Sequence, residues 1–176
     1  MKSWILIAGL TAAAPALAQD DPPPAPIPGQ VRVLEGCWAG TGEVMGKAVT
    51  IALAAKPIVE GTMFLIEAKS HAVADPKDRY AAHLVFGGKG PAPKSDQASA
   101  ISGFWIDSFG GDFTAIGSGA ATADGFDIAY AYPDASFVNR WRPAGEALSW
   151  TIVAKTAKAE NAFARYDLKR TDCPKG

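Results

Sequence analysis

Histidine and cysteine are scarce here, two of each in 176 residues, and the scarcity excludes several chemistries at once. A zinc site needs three or four ligands, and His71 and His83 with scattered carboxylates make a poor set, so no metal is expected. The chain holds no C-x-x-C, H-E-x-x-H, Walker loop or G-x-S-x-G. Those redox, protease, nucleotide and hydrolase signatures are therefore missing, and no cofactor or catalytic residue is assigned. Excess charge is lacking too. The net charge is −1, or −2 once Lys2 leaves with the leader, which gives no electrostatic case for nucleic acid or an anionic membrane. Beyond the first residues no apolar run approaches the length of a membrane helix, so no membrane insertion is expected.

What the chain does have begins with an address. "MKSWILIAGLTAAAPALA" carries Lys2 as a positive head, Trp4 to Leu10 as an apolar core, and Ala16-Leu17-Ala18 as a small-x-small cleavage site. Residues 1–18 therefore read as a signal peptide cleaved after Ala18. Export follows, to the periplasm of a bacterium or beyond the cell. "QDDPPPAPIPGQ", residues 19–30, is rich enough in proline to act as an extended tether. Residues 31–173 are one domain's length, and 48% of the chain is apolar, enough for a sizeable core.

Alternation dominates that domain. "KAVTIALAA" puts Val49, Ile51 and Leu53 on one face; "GFDIAYAY" does the same for Phe126, Ile128, Tyr130 and Tyr132. "ALSWTIVAK" aligns Leu148, Trp150 and Ile152. Turn signals separate such runs: Glu60-Gly61, Gly110-Gly111-Asp112, Asp124-Gly125, Pro133-Asp134 and Pro143-Ala144-Gly145. Ten strands result, at 37–45, 47–56, 62–72, 80–88, 98–109, 111–122, 125–132, 135–142, 147–156 and 161–171. No alternation of strand and helix occurs, which argues against a parallel sheet. An antiparallel meander must hide its first and last edges, and closing up-and-down into a barrel does so directly. A sandwich is the competing architecture.

Cys37 opens the first strand and Cys173 follows the last. In an oxidising compartment they are expected to form a disulfide, with two free thiols or an intermolecular bridge as the alternative. A bridge needs Cα atoms roughly 4.4–6.8 Å apart. With an even strand count the first and last strands of a closed barrel run antiparallel, so the start of one lies beside the end of the other. An odd count would separate the two positions by about 30 Å, a strand's length. Ten strands and the cysteine positions agree. A ring that long is worth roughly 5 kcal/mol in the chain-entropy account.

"LEGCWAGTG" (34–42) resembles the L-x-G-x-W-x-G-x-G start of lipocalin-like, or calycin-like, bacterial barrels, through Leu34, Gly36, Trp38, Gly40 and Gly42. "GFWIDSFGG" (103–111) is similar to the central signature of a family of uncharacterised exported proteins of this fold. The resemblance runs from Leu34 to Arg170. It implies that Trp38 sits at the closed end of the barrel against an arginine of the last strand, which Arg170 matches. Ten strands exceed the eight of lipocalins and look more like fatty-acid-binding or nitrobindin-like barrels. Nitrobindin-like barrels hold haem through a histidine near the C-terminal end; His71 and His83 both lie in the first half, so haem is not expected.

The candidate ligand-binding residues are Trp105, Asp107, Tyr130, Asn139, Trp141 and Trp150. In "FWIDSF" Trp105, Asp107 and Phe109 share a face, so a polar atom enters among aromatics, as a ligand cavity requires. In "FVNRWR" Phe137, Asn139 and Trp141 share a face, and Arg140 and Arg142 take the other. If the apolar set points inward, Asn139 becomes a lumen hydrogen-bonder; an inward Arg140 would instead imply an anionic ligand such as a carboxylate, or an ion pair with Asp107 or Glu67. Small residues in "TAIGSGAAT" and "AISG" favour a hollow interior if they line it. The reading is a lipocalin-like barrel that binds a small apolar or amphipathic molecule without catalysis, as a monomer or weak homodimer. Alternatives are an isomerase or hydrolase using an Asp107/Arg140 pair, or an envelope interaction protein with a filled barrel.

Overall fold

The computed structural model describes residues 25–90 and 99–174. The signal peptide expected at 1–18, residues 19–24 of the expected tether and residues 91–98 lie outside them. Ten antiparallel strands close into one barrel in which each pairs with its sequence neighbours and the first pairs with the last. They are β1 (Gly36–Val44), β2 (Lys47–Ile58), β3 (Met63–Ala72), β4 (Arg79–Gly88), β5 (Ala100–Asp107), β6 (Ala115–Thr122), β7 (Gly125–Ala131), β8 (Ser136–Ala144), β9 (Ala147–Lys155) and β10 (Glu160–Thr171). The sandwich is excluded.

At the seam, Cys37 lies opposite Thr171 and Val44 opposite Ala164. That register carries Cys173 back to Cys37, and the two are bonded with Cα atoms 5.1 Å apart. The even-count argument holds, and the disulfide is one that an oxidising compartment supports. No helix among the described residues is long and apolar enough to cross a membrane.

Two strands are shorter than alternation suggested. β5 stops at Asp107 and β6 starts at Ala115. The Asp107 carboxylate accepts the Phe109 N–H at 2.9 Å, Gly110 takes φ +93°, and residues 111–113 coil into a 3-10 turn. A side chain that captures nearby backbone N–H groups competes with the ladder and ends it.

The tether is corrected where it is described. Gly29–Arg32 form a short helix, α1, and Ile27, Val31 and Leu34 are buried in the core. This segment covers the end of the barrel where β1 begins, with Gln30 reaching the Thr122 carbonyl at 3.5 Å. Beneath it Trp38 is buried, and its indole N–H donates to the Leu34 carbonyl at 2.8 Å. The Arg170 guanidinium lies 4.1 Å from the centre of the Trp38 ring and donates to the carbonyls of Glu35 at 2.6 Å and Val33 at 3.2 Å. Gly36 makes room for it: its φ is +115°, and a Cβ there would meet Arg170 at 2.9 Å. The plug implied by the motif is present.

Candidate functional site

Strand register builds the interior. Phe126 pairs with Trp141, Trp141 with Trp150, and Trp150 with Tyr166 across four neighbouring strands. Inward-facing residues in register stack: Phe126 and Trp141 lie 5.8 Å apart at 8°, and Trp141 and Trp150 lie 4.3 Å apart at 13°. Tyr166 continues the row and leans over Gly42, where a Cβ would sit 2.5 Å from its ring. Tyr130 likewise lies over Gly103 and Gly117. The inner glycines are therefore the seats of aromatic rings. They do not leave the lumen hollow, as the small residues alone had suggested. Two grooves, about 510 and 160 Å³, lie outside it: one on the outer wall around Thr50, Lys69, His71 and Arg79 that reaches Tyr80, the other beside Ala25–Gly29.

All six predicted residues belong to this interior, at two depths. Asn139 and Trp141 are deep and wholly buried. Asn139 is an inward hydrogen-bonder, but its Oδ1 accepts the Trp150 indole N–H at 2.8 Å. The Trp141 indole nitrogen and the Tyr130 hydroxyl are buried with no hydrogen-bond partner. Trp105 stands above, edge-on to Tyr130 at 5.3 Å and tilted against Trp150 at 6.1 Å. Asp107 follows at the end of β5.

Trp105 and Asp107 are half-buried, and they form the polar part of the end that α1 does not cover. Asp107 Oδ2 accepts the Tyr80 hydroxyl at 3.0 Å and the Trp105 indole N–H at 3.0 Å. The same indole N–H also lies 2.9 Å from the Tyr80 oxygen. Around this triad run half-buried rings: Tyr132 against Phe137 at 5.5 Å, and Phe137 against Phe163 at 4.9 Å. Tyr80 meets Phe109 at 5.7 Å on the other side. The mouth is an aromatic collar with one carboxylate at its rim.

Electrostatics keep the phenols protonated. Burial, reinforced by the Asp107 charge, pushes the Tyr80 hydroxyl far above its ordinary range. Burial and then Asp107 raise Tyr132 as well. Burial alone pushes Tyr166 up to about 12. At neutral pH the Tyr80 hydroxyl thus donates to Asp107, and the Tyr132 hydroxyl to the Phe113 carbonyl at 2.9 Å.

Sequence reasoning missed Tyr80. Its alternation with Ala82, Leu84 and Phe86 on the inward face of β4 was a usable signal. Its partnership with Asp107, 27 residues away, depended on the β4–β5 register. Arg140 does not enter the lumen. It faces outward and pairs with Glu160 at 3.2 Å, so the Asp107/Arg140 pair is not formed. The apolar side chains of β8 take the interior, and the arginines stay in water. Glu67 meets exposed His83 at 3.5 Å instead, and His71 meets Thr50 at 3.0 Å. Among the described residues no group of three or more His, Cys, Asp or Glu is placed to hold a metal ion.

No family model and no curated protein sequence matches this chain. A solved structure, the S-type phycobiliprotein lyase CPES from Guillardia theta, is similar in fold, with a TM-score of 0.55 and 12% identity. The alignment covers 82% of this chain and 92% of that one. At that identity the likeness concerns architecture, and the architecture is a closed, lipocalin-like antiparallel barrel.

Proposed function

We propose that this chain is an exported barrel that binds a small amphipathic molecule at its open mouth, without catalysis. The observation that carries the reading is the half-buried Tyr80–Trp105–Asp107 triad set inside a collar of half-buried aromatics. Apolar walls around a few converging polar groups are what small-molecule sites consist of. The filled lower lumen supports a shallow seat, with Trp105 and Trp150 as its floor and Tyr130 supplying an unpartnered hydroxyl beneath. Asp107 sets the polarity of the ligand. Its carboxylate has acceptor capacity left after three donors, and its negative charge repels acids. The preferred ligand has an apolar body and a neutral or cationic hydrogen-bond-donating head. The disulfide and the leader sequence support a periplasmic or extracellular setting.

The test has two arms. Native mass spectrometry of protein taken from its own compartment, followed by organic extraction, should recover a co-purifying amphiphile. Tryptophan fluorescence titrations with dodecylamine, dodecanol and dodecanoate should then rank amine first and acid last. If no molecule co-purifies and none of the three probes perturbs the emission, the mouth is not a binding site.

A further inference from the structure

Nine large apolar side chains are exposed among the described residues, and their placement is uneven. Four stand on the tips of successive hairpins at the open end: Met45 between β1 and β2, Val73 between β3 and β4, and Phe109 and Phe113 between β5 and β6. Ile106 and Ile116 flank the last tip on the outer wall. The tips of the other half of the rim, "PD" at 133–134 and "TAKA" at 156–159, carry no large apolar side chain. Half of the rim is thus apolar and half polar.

Met45 sharpens the point. Met45 and Gly46 both take positive φ, +50° and +82°. A two-residue hairpin turn of that kind favours Asn-Gly, because a branchless polar residue tolerates the left-handed region. Here methionine occupies the position and is 74% exposed. Neither the turn nor the core requires it.

We infer that the apolar half of the rim docks on the surface of a zwitterionic phospholipid bilayer, its hairpin tips entering the interface without any spanning element. Three arguments select this occupant. The side chains stand on separate convex tips, so a fluid phase covers them together where a rigid partner would need a matching cavity for each. The six side chains share no continuous apolar patch of the kind that forms the fully buried centre of a stable protein interface. Charge on the same three tips and their flanking strand ends is close to balance with a slight acidic excess, Lys47, Lys77 and Arg79 against Asp75, Asp78, Asp107 and Asp112, which favours a surface of no net charge over an anionic one. Docking would set the mouth against the phase in which an amphiphile dissolves. The inference stands on the tips alone and survives if the ligand reading fails.

The full mature chain should float with phosphatidylcholine vesicles, equally at low and high salt. Met45→Asn, which suits the turn better, should hold or raise the melting temperature while weakening vesicle binding. Adding Phe109→Ser and Phe113→Ser should weaken it by about tenfold or more, since binding follows buried apolar area. Flotation that needs anionic lipid and disappears in salt would overturn the inference. So would absence of flotation, or a concentration-dependent dimer in ultracentrifugation that Met45→Asn abolishes while vesicles are ignored. Dodecylamine titration of Met45→Asn alone separates the two proposals, because Met45 belongs neither to the triad nor to its aromatic collar.

Discussion

At the closed end Trp38 is sealed: it is buried, its indole N–H is bonded to Leu34, and Arg170 covers its ring. At the open end Trp105 is half in solvent, and its indole N–H is shared between Tyr80 and Asp107. One tryptophan sits under a cation fixed by backbone carbonyls and the other beside an anion held by side-chain donors. The difference separates two uses of the same residue type. A cation over a ring whose every polar neighbour is paired holds a fold together. A carboxylate beside half-exposed rings leaves acceptor capacity and contact area that the fold itself does not use.

The first way to test that division is to unclasp the closed end. Replacing Cys37 and Cys173 with serine should cost about 5 kcal/mol, the loop-closure value for a ring of this length, read from chemical denaturation. Binding at the mouth of the fraction still folded should be unchanged. Next, Arg170→Met removes the cation–π contact and the hydrogen bonds to the carbonyls of Val33 and Glu35, at a cost of about 1–2 kcal/mol. A change in probe affinity from either variant would mean that the two ends are coupled.

Alkaline titration compares depth in place of ends. Tyr166, under Trp150, is pushed up to about 12 from an ordinary value of 10.0. Below about pH 10 it is protonated in both folded and unfolded chains, and its stabilisation is fully present. Between 10 and about 12 the unfolded chain ionises first, so stability falls, by on the order of 1 kcal/mol at pH 11. Tyr166→Phe should make that stretch of the stability curve less steep, and the slope that remains comes from Tyr80, Tyr130 and Tyr132, which burial also raises.

The fold was legible because each of its requirements is local or arithmetical. Period-2 alternation, glycine turns and an even strand count with cysteines at its two margins all point to one closed tube. The inner wall was legible as a set of faces: Tyr130, Asn139, Trp141 and Trp150 are inward as the alternation required. What alternation could not give was who faces whom. Whether Gly42, Gly103 and Gly117 open a void or receive a ring depends on which aromatic stands opposite. The Tyr80–Asp107 bond likewise belongs to strand pairing. Ile27 was hidden by its prolines, since composition describes a tether well and says nothing of a single apolar side chain finding the uncovered end of a barrel.

Asp107→Asn gives the smallest change in stability and the most discriminating one in function. The amide oxygen can still accept from Tyr80 and Trp105, and the backbone N–H of Phe109 sits at the exposed margin, so the fold should lose less than about 1 kcal/mol. Removing the charge acts on the ligand instead. If the carboxylate chooses the head group, dodecylamine should weaken by about tenfold, the scale of one half-exposed charge contact (~1.4 kcal/mol). Dodecanol should change little and dodecanoate should improve. An ordering that stays the same in the variant would make Asp107 a clasp for the β5–β6 turn, as Arg170 is for the plug, and the contrast between the two ends would reduce to exposure alone.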